Sequence, residues 1–206
     1  MKRKILVILL LFGFCPYLIY ALKDEDEGKK WLARTRFSIQ TFGTHKTTPS
    51  SIYSPKNVNT GVSLSIEFFH RFHRFIEAGA GVEYQFAREL KNVSGGFNFI
   101  PIYAALRIPA GFKKVNPYLI GRIGYNFFRG DSLYMTGINY QDPKGGLCYS
   151  FGGGANLFSF WLFQSNSYVF TEINYSVNRG KGTSGGSPMD VNYSKVDIII
   201  GLENYF

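Results

Sequence analysis

The sequence predicts an all-β protein, an eight-stranded antiparallel up-and-down transmembrane β-barrel, and three observations carry that prediction. Segments of about ten residues with alternating apolar and polar side chains recur eight times. The connections between them alternate in length, long or glycine-rich after the first, third, fifth and seventh and short after the others. The charges inside the segments fall opposite the apolar side chains. Composition agrees: of 206 residues 45% are hydrophobic and 18% charged, which excludes a disordered chain. After the first 22 residues no stretch supplies the ~20 consecutive apolar residues of a membrane helix.

Residues 1–21 read as a cleaved export signal. Lys2, Arg3 and Lys4 form a positive start, Ile5 to Phe12 an apolar run, and Ala21 offers a small residue before the cut. Phe14 stands where a lipoprotein signal wants a small residue before its cysteine, here Cys15. Cleavage removes three basic residues and no acid, leaving 20 basic against 14 acidic side chains. Cys148 is then the sole cysteine, so neither an internal disulfide nor a cysteine-type zinc site is expected. Residues 22–33 are expected to be a short periplasmic segment and 34–206 the barrel.

Strands are expected near 34–43, 60–69, 75–87, 97–108, 117–128, 147–160, 167–178 and 193–206, with long connections at 44–59, 88–96, 129–146 and 179–192. The second strand sets Val62, Leu64, Ile66 and Phe68 against Ser63, Ser65 and Glu67. In the third, Ile76, Val82 and Tyr84 oppose Glu77, Glu83 and Gln85. The fourth and fifth oppose their apolar faces to Arg107 and Arg122, the seventh to Glu172. The last sets Val196, Ile198, Ile200, Leu202 and Phe206 against Lys195, Asp197 and Glu203. The first is weaker, with Phe37 and Ile39 opposing Arg36, and Arg34 is left aside at the rim. In the sixth the alternation slips at Phe158-Ser159-Phe160, a bulge or the strand's end.

A soluble ligand-carrying barrel alternates too, with its apolar face inward. Three features favour the reverse. Strand charges are sparse, six acids against four bases (Arg36, Arg107, Arg122, Lys195), whereas a wetted surface carries about 25–35% charged residues. Small residues such as Gly79, Gly81, Gly152 and Gly154 share the polar face, as a narrow lumen requires. Aromatics of the apolar parity gather near strand ends, as in two interfacial girdles. Phe97 and Phe99 do not fit, since they share the parity of Arg107.

The final strand, with Ile198, Ile200, Leu202 and a terminal Phe206, resembles the signal by which the Bam assembly machinery recognises outer-membrane barrels. Phe99-Ile100-Pro101-Ile102-Tyr103-Ala104-Ala105-Leu106-Arg107 and Asn116-Pro117-Tyr118-Leu119-Ile120-Gly121-Arg122-Ile123-Gly124-Tyr125 are similar to the paired central strands of the small outer-membrane β-barrel domain family. Its relatives include the membrane domain of outer-membrane protein A and the opacity-type, porin-family proteins. The resemblance spans about residues 31–206. It implies a bacterial outer-membrane location with both termini periplasmic, and outer-membrane lipid and the Bam machinery as partners; with the last strand ending on Phe206, a separate wall-binding domain is not expected.

Buried ions must be paired, so the lumen is expected to hold a structural charge network of Arg36, Glu67, Glu77, Glu83, Arg107, Arg122, Glu172, Lys195, Asp197 and Glu203. Counting back from the 88–96 connection with Ala87 opposite Phe97 places Glu77 opposite Arg107. The expected function is structural, adhesive or surface-binding, with an extracellular ligand at the four long connections and the lumen plugged. Those connections carry eight basic against four acidic residues, suited to outer-leaflet headgroups or an acidic host polymer. The alternatives are a small or transient channel, a lipid-modifying enzyme built on His45 with Ser50 or Ser51, and a secreted soluble carrier. No phosphate loop, dinucleotide fingerprint or metal-ligand cluster appears, so no enzyme, cofactor, metal or nucleic-acid partner is expected.

Overall fold

A computed structural model describes residues 30–48, 56–89, 96–111, 116–130, 141–162, 165–184 and 186–206. The expected export signal lies outside them. Eight long strands wind in sequence order: β1 (Trp31–Thr48), β3 (Gly61–His73), β4 (Ile76–Gln85), β6 (Gly96–Pro109), β7 (Pro117–Gly130), β8 (Gln141–Leu162), β9 (Ser165–Ser184) and β10 (Ser187–Tyr205). Two-residue strands β2 (Lys56–Asn57) and β5 (Arg88–Glu89) add pairings at the long-connection end. Each long strand pairs antiparallel with its neighbour, and β10 pairs with β1, so the sheet closes and no long edge is left open.

The period-two pattern decides which face is which. Ile66, Ile102, Ile123, Phe151, Ile173 and Ile200 are each about half exposed on the outer surface. Glu67, Glu77, Arg107, Glu172 and Lys195 are buried inside. Reversing the faces would leave six acids exposed and strip the outer wall of its apolar cover, so the barrel is inverted relative to a soluble carrier.

Most strands run longer than expected, while β4, at Ile76–Gln85, falls short of the expected 75–87. β1 reaches Thr48, β8 begins at Gln141, and β9 and β10 run on to Ser184 and from Ser187, so most of the expected 179–192 connection is paired strand. Where the wall rises beyond the apolar band its outward face turns polar, with Lys46, Thr48, Arg179, Lys181 and Asp190 exposed, and the outward apolar signal that marks strands fades there. The wall is therefore taller along β8, β9, β10 and β1 (22, 20, 19 and 18 residues) than along β3 and β4 (13 and 10). At the other end the slip in β8 is a bulge. Register shifts between Asn156 and Phe158, Leu157 and Phe158 both face outward, and the strand continues to Leu162. The barrel also starts earlier than expected, with Trp31 to Ala33 already paired to β3.

Glycine matters most where strand meets lumen. A Cβ on Gly124 would run into the Ile102 carbonyl oxygen and sit 2.5 Å from the Tyr103 Cα. Gly124→Ala is expected to lower stability by about 1–3 kcal/mol, because backbone rather than a flexible side chain obstructs the added methyl. Urea titration of the refolded chain checks this, and a neutral result would mean that the β6–β7 contact is looser than drawn.

Candidate functional site

Among the described residues the lumen gathers a network of charged side chains, in stacked layers. At its centre, Glu67 on β3 and Glu172 on β9 face three arginines. Arg34 reaches Glu67 at 3.0 Å and Glu172 at 3.1 Å. Arg36 meets Glu67 at 2.7 Å, and Arg122 meets Glu67 at 2.6 Å and Glu172 at 2.9 Å. Tyr103 donates to Glu67 (3.0 Å) and Tyr118 to Glu172 (3.0 Å), while Asn174 also donates to Glu172. The Arg34 guanidinium lies 3.9 Å from the Phe170 ring centre, so its flat face is covered as well.

Toward the short turns, Glu77 accepts from Arg107 (2.7 Å) and Arg71 (2.8 Å). Arg107 also reaches Glu203 at 3.3 Å, and Glu203 meets Arg34 at 3.3 Å, which joins this layer to the centre. Toward the long connections, Lys195 bridges Glu83 (3.2 Å) and Asp197 (3.1 Å), and Ser176 donates to Asp197. Every residue of the expected network is thus brought inside, and Glu77 stands opposite Arg107 as the count predicts. The anchor of that count is displaced by one: Arg88, not Ala87, faces Phe97, and a change of register lies between the two pairings.

Arg34, left aside at the rim by the sequence reading, is 1% exposed at the centre, and Arg71 near the end of β3 pairs with Glu77 as well. With them, six acids (Glu67, Glu77, Glu83, Glu172, Asp197, Glu203) meet six cations (Arg34, Arg36, Arg71, Arg107, Arg122, Lys195), and each forms at least one ion pair. Parity held the signal for Arg34, which sits two residues from Arg36 on the same face.

The aromatics that broke the girdle pattern form a layer of their own. Phe97, Phe99, Phe128 and Tyr193 pack across the lumen with Met189 and Val191. Phe99 lies 4.9 Å from Phe128 and parallel to Tyr193, ring centres 6.1 Å apart. Arg88 donates to the Tyr193 hydroxyl at 3.0 Å. Between this layer and the ion pairs lies a cavity of about 20 Å³, bordered by Glu83, Gln85, Tyr103, Arg122, Cys148 and Lys195. That is room for one or two waters. His45, the candidate catalytic base, is buried 4.9 Å from the Phe97 ring, while Ser50 and Ser51 lie outside the described residues.

Ile198, Ile200, Leu202 and Phe206, expected from the sequence to form an assembly signal, are exposed on the outer surface, and Phe206 and Trp31 exchange backbone hydrogen bonds of 3.0 and 3.1 Å. No family model matches the chain, and no curated protein does. Its structure is similar to the crystal structure of Neisserial surface protein A, with a TM-score of 0.54 at 14% identity, over 87% of this chain and 100% of that one.

The chain has the fold of the small outer-membrane β-barrels.

It is also similar to the outer membrane protein AlkL determined in lipid bilayers, with a TM-score of 0.53 at 16% identity, over 89% and 94% of the two chains. OprG of Pseudomonas aeruginosa aligns with a TM-score of 0.47 at 13% identity over 87% of this chain and 96% of that one. At these identities the likeness speaks to architecture and leaves the role to this chain's own residues.

Proposed function

We propose that this protein is an integral barrel of the bacterial outer membrane that acts through the outer ends of its strands, with its lumen closed. The observation that supports this best is the division of the wall, large apolar side chains outside and paired acids and cations inside. Lipid is the solvent that suits the first, and a paired, water-poor interior suits the second. In this reading residues 1–21 direct export, Ile198, Ile200, Leu202 and Phe206 are read by the Bam machinery, both termini are periplasmic, and the long connections face outward. The ion-pair layers and the aromatic layer together plug the lumen, and the role is structural, adhesive or surface-binding rather than catalytic.

The test is the migration of the mature chain, refolded into lipid vesicles, on gels with and without boiling, followed by conductance in planar bilayers. A heat-modifiable band with no steady conductance is the expected result. A monodisperse protein in plain buffer that never inserts overturns the membrane reading, and steady single-channel currents would replace the plug with a channel. Deletion of Phe206 is expected to impair assembly in cells, and normal assembly would remove that residue from the signal.

A further inference from the structure

The outer ends of β7, β8, β9 and β1 carry a row of five exposed cations that outnumber the two exposed acids beside them, Asp142 and Asp190. Lys46 on β1 pairs across with Asn192 on β10, which pairs with Arg179 on β9. One step further from the apolar band, Asp190 on β10 pairs with Lys181 on β9, and Lys181 with Lys144 on β8. Lys46, Lys144, Arg179, Lys181 and, on β7, Arg129 are all exposed. None forms an ion pair among the described residues. Asp190 and Asp142 are the exposed acids on these strands at this height.

Three features give the row a direction. Lys144 and Lys181 stand directly opposite each other, an arrangement that destabilises a sheet unless an anion lies against both. The side chains lie on the outward parity that carries the apolar wall: Arg129 follows Phe127 and Tyr125, and Arg179 follows Tyr175 and Ile173. At 3.3 Å per residue Arg129 and Arg179 stand roughly 7–13 Å along the strand beyond those rings and Lys181 roughly 20 Å, less when the tilt is counted, which spans the headgroup layer. And the row is one-sided, since the described side chains at the outer ends of β3, β4 and β6 include exposed Glu89 and no exposed cation.

We infer that this row, Lys46, Arg129, Lys144, Arg179 and Lys181, binds the anionic headgroups of outer-leaflet lipid and fixes how the tall side of the barrel sits against the membrane. The ligand is a phosphate- or carboxylate-bearing lipid rather than a soluble acidic polymer, because the cations point radially, in continuity with the lipid face, and not toward the mouth. Long Lys and Arg stems lie along the wall and carry their charges up to the headgroup plane. Neighbouring cations on three paired strands can share one multiply charged headgroup.

The inference rests on the membrane reading above, and the experiment separates the two. The mature chain is refolded into phosphatidylcholine vesicles holding a minority of spin-labelled phosphatidylglycerol or, in a parallel sample, spin-labelled phosphatidylcholine. The expected result is at least about five-fold preferential association of the anionic probe, the contribution of one interfacial cation. Association is expected to fall toward that of phosphatidylcholine in 1 M salt. It is also expected to fall in the variant Lys46→Gln, Lys144→Gln, Arg179→Gln, Lys181→Gln, and to persist when the three lysines become arginine. Insertion with equal association of both probes, or a preference untouched by the glutamine variant, overturns the row alone. Failure to insert into either vesicle overturns the membrane reading and the row with it. Capture of soluble heparin by the embedded protein without any lipid preference would assign the row to an acidic polymer instead.

Discussion

Glu67→Gln is expected to destabilise the refolded barrel by about 3–5 kcal/mol, the cost of breaking a buried ion pair from one side. Glu67 is fully buried and accepts from Arg34, Arg36, Arg122 and Tyr103, four groups from three strands. Glutamine keeps the shape, but it removes the charge and turns one acceptor into a donor that faces guanidinium groups. Three arginines would then share Glu172. Urea unfolding in lipid vesicles, followed through Trp31 and Trp161, gives the number. Asp142→Asn, exposed beyond the apolar band, is the control and should stay within about 0.5 kcal/mol. Adding Arg36→Met to Glu67→Gln should recover part of the loss, since it removes one of the uncompensated cations. A loss below about 1 kcal/mol for Glu67→Gln would mean that water reaches the centre and screens the arginines, and the plug would fail with it.

Ile123→Lys is expected to cost about 2–4 kcal/mol, because Ile123 lies at the middle of β7 on the outer wall and a cation there meets the hydrocarbon midplane. The same change at Arg129, six residues along the strand and already cationic, should be neutral, so the pair reads depth as well as face. A neutral Ile123→Lys would place that wall in water and overturn the assignment of the apolar side to lipid.

Much of the architecture was legible because two-residue periodicity reports faces directly. Once the third and eighth segments put their charges on one parity, the inward side was set, and counting back from the 88–96 connection brought Glu77 to Arg107 even though the anchor pair itself is Arg88 with Phe97. What failed had physical causes. Arg34 looked marginal because its strand starts on Trp31-Leu32-Ala33, where alternation is too brief to register, yet β1 and β3 are already paired there. Residues 179–192 looked like a loop because Gly180, Gly182 and Ser184 resemble turn chemistry, while the ladder to β10 holds them extended. Phe97 and Phe99 were at odds with the girdle because an aromatic of inward parity is as much at home in a lumen layer as a charge is, and only the facing strands decide which fills it.

The ion pairs also bear on how the barrel is completed. Arg34 and Arg36 lie on the first strand, Lys195, Asp197 and Glu203 on the last, and the Arg34–Glu203 pair joins residues 34 and 203 across the β1–β10 contact. Glu67 with Arg34 and Arg36, and Glu77 with Arg107, join strands that are already neighbours, whereas Arg34 with Glu172, Arg107 with Glu203 and Lys195 with Glu83 reach across the lumen. Closure of the β1–β10 seam is what brings the second set together, so the last ladder and the cross-lumen ion pairs hold each other in place.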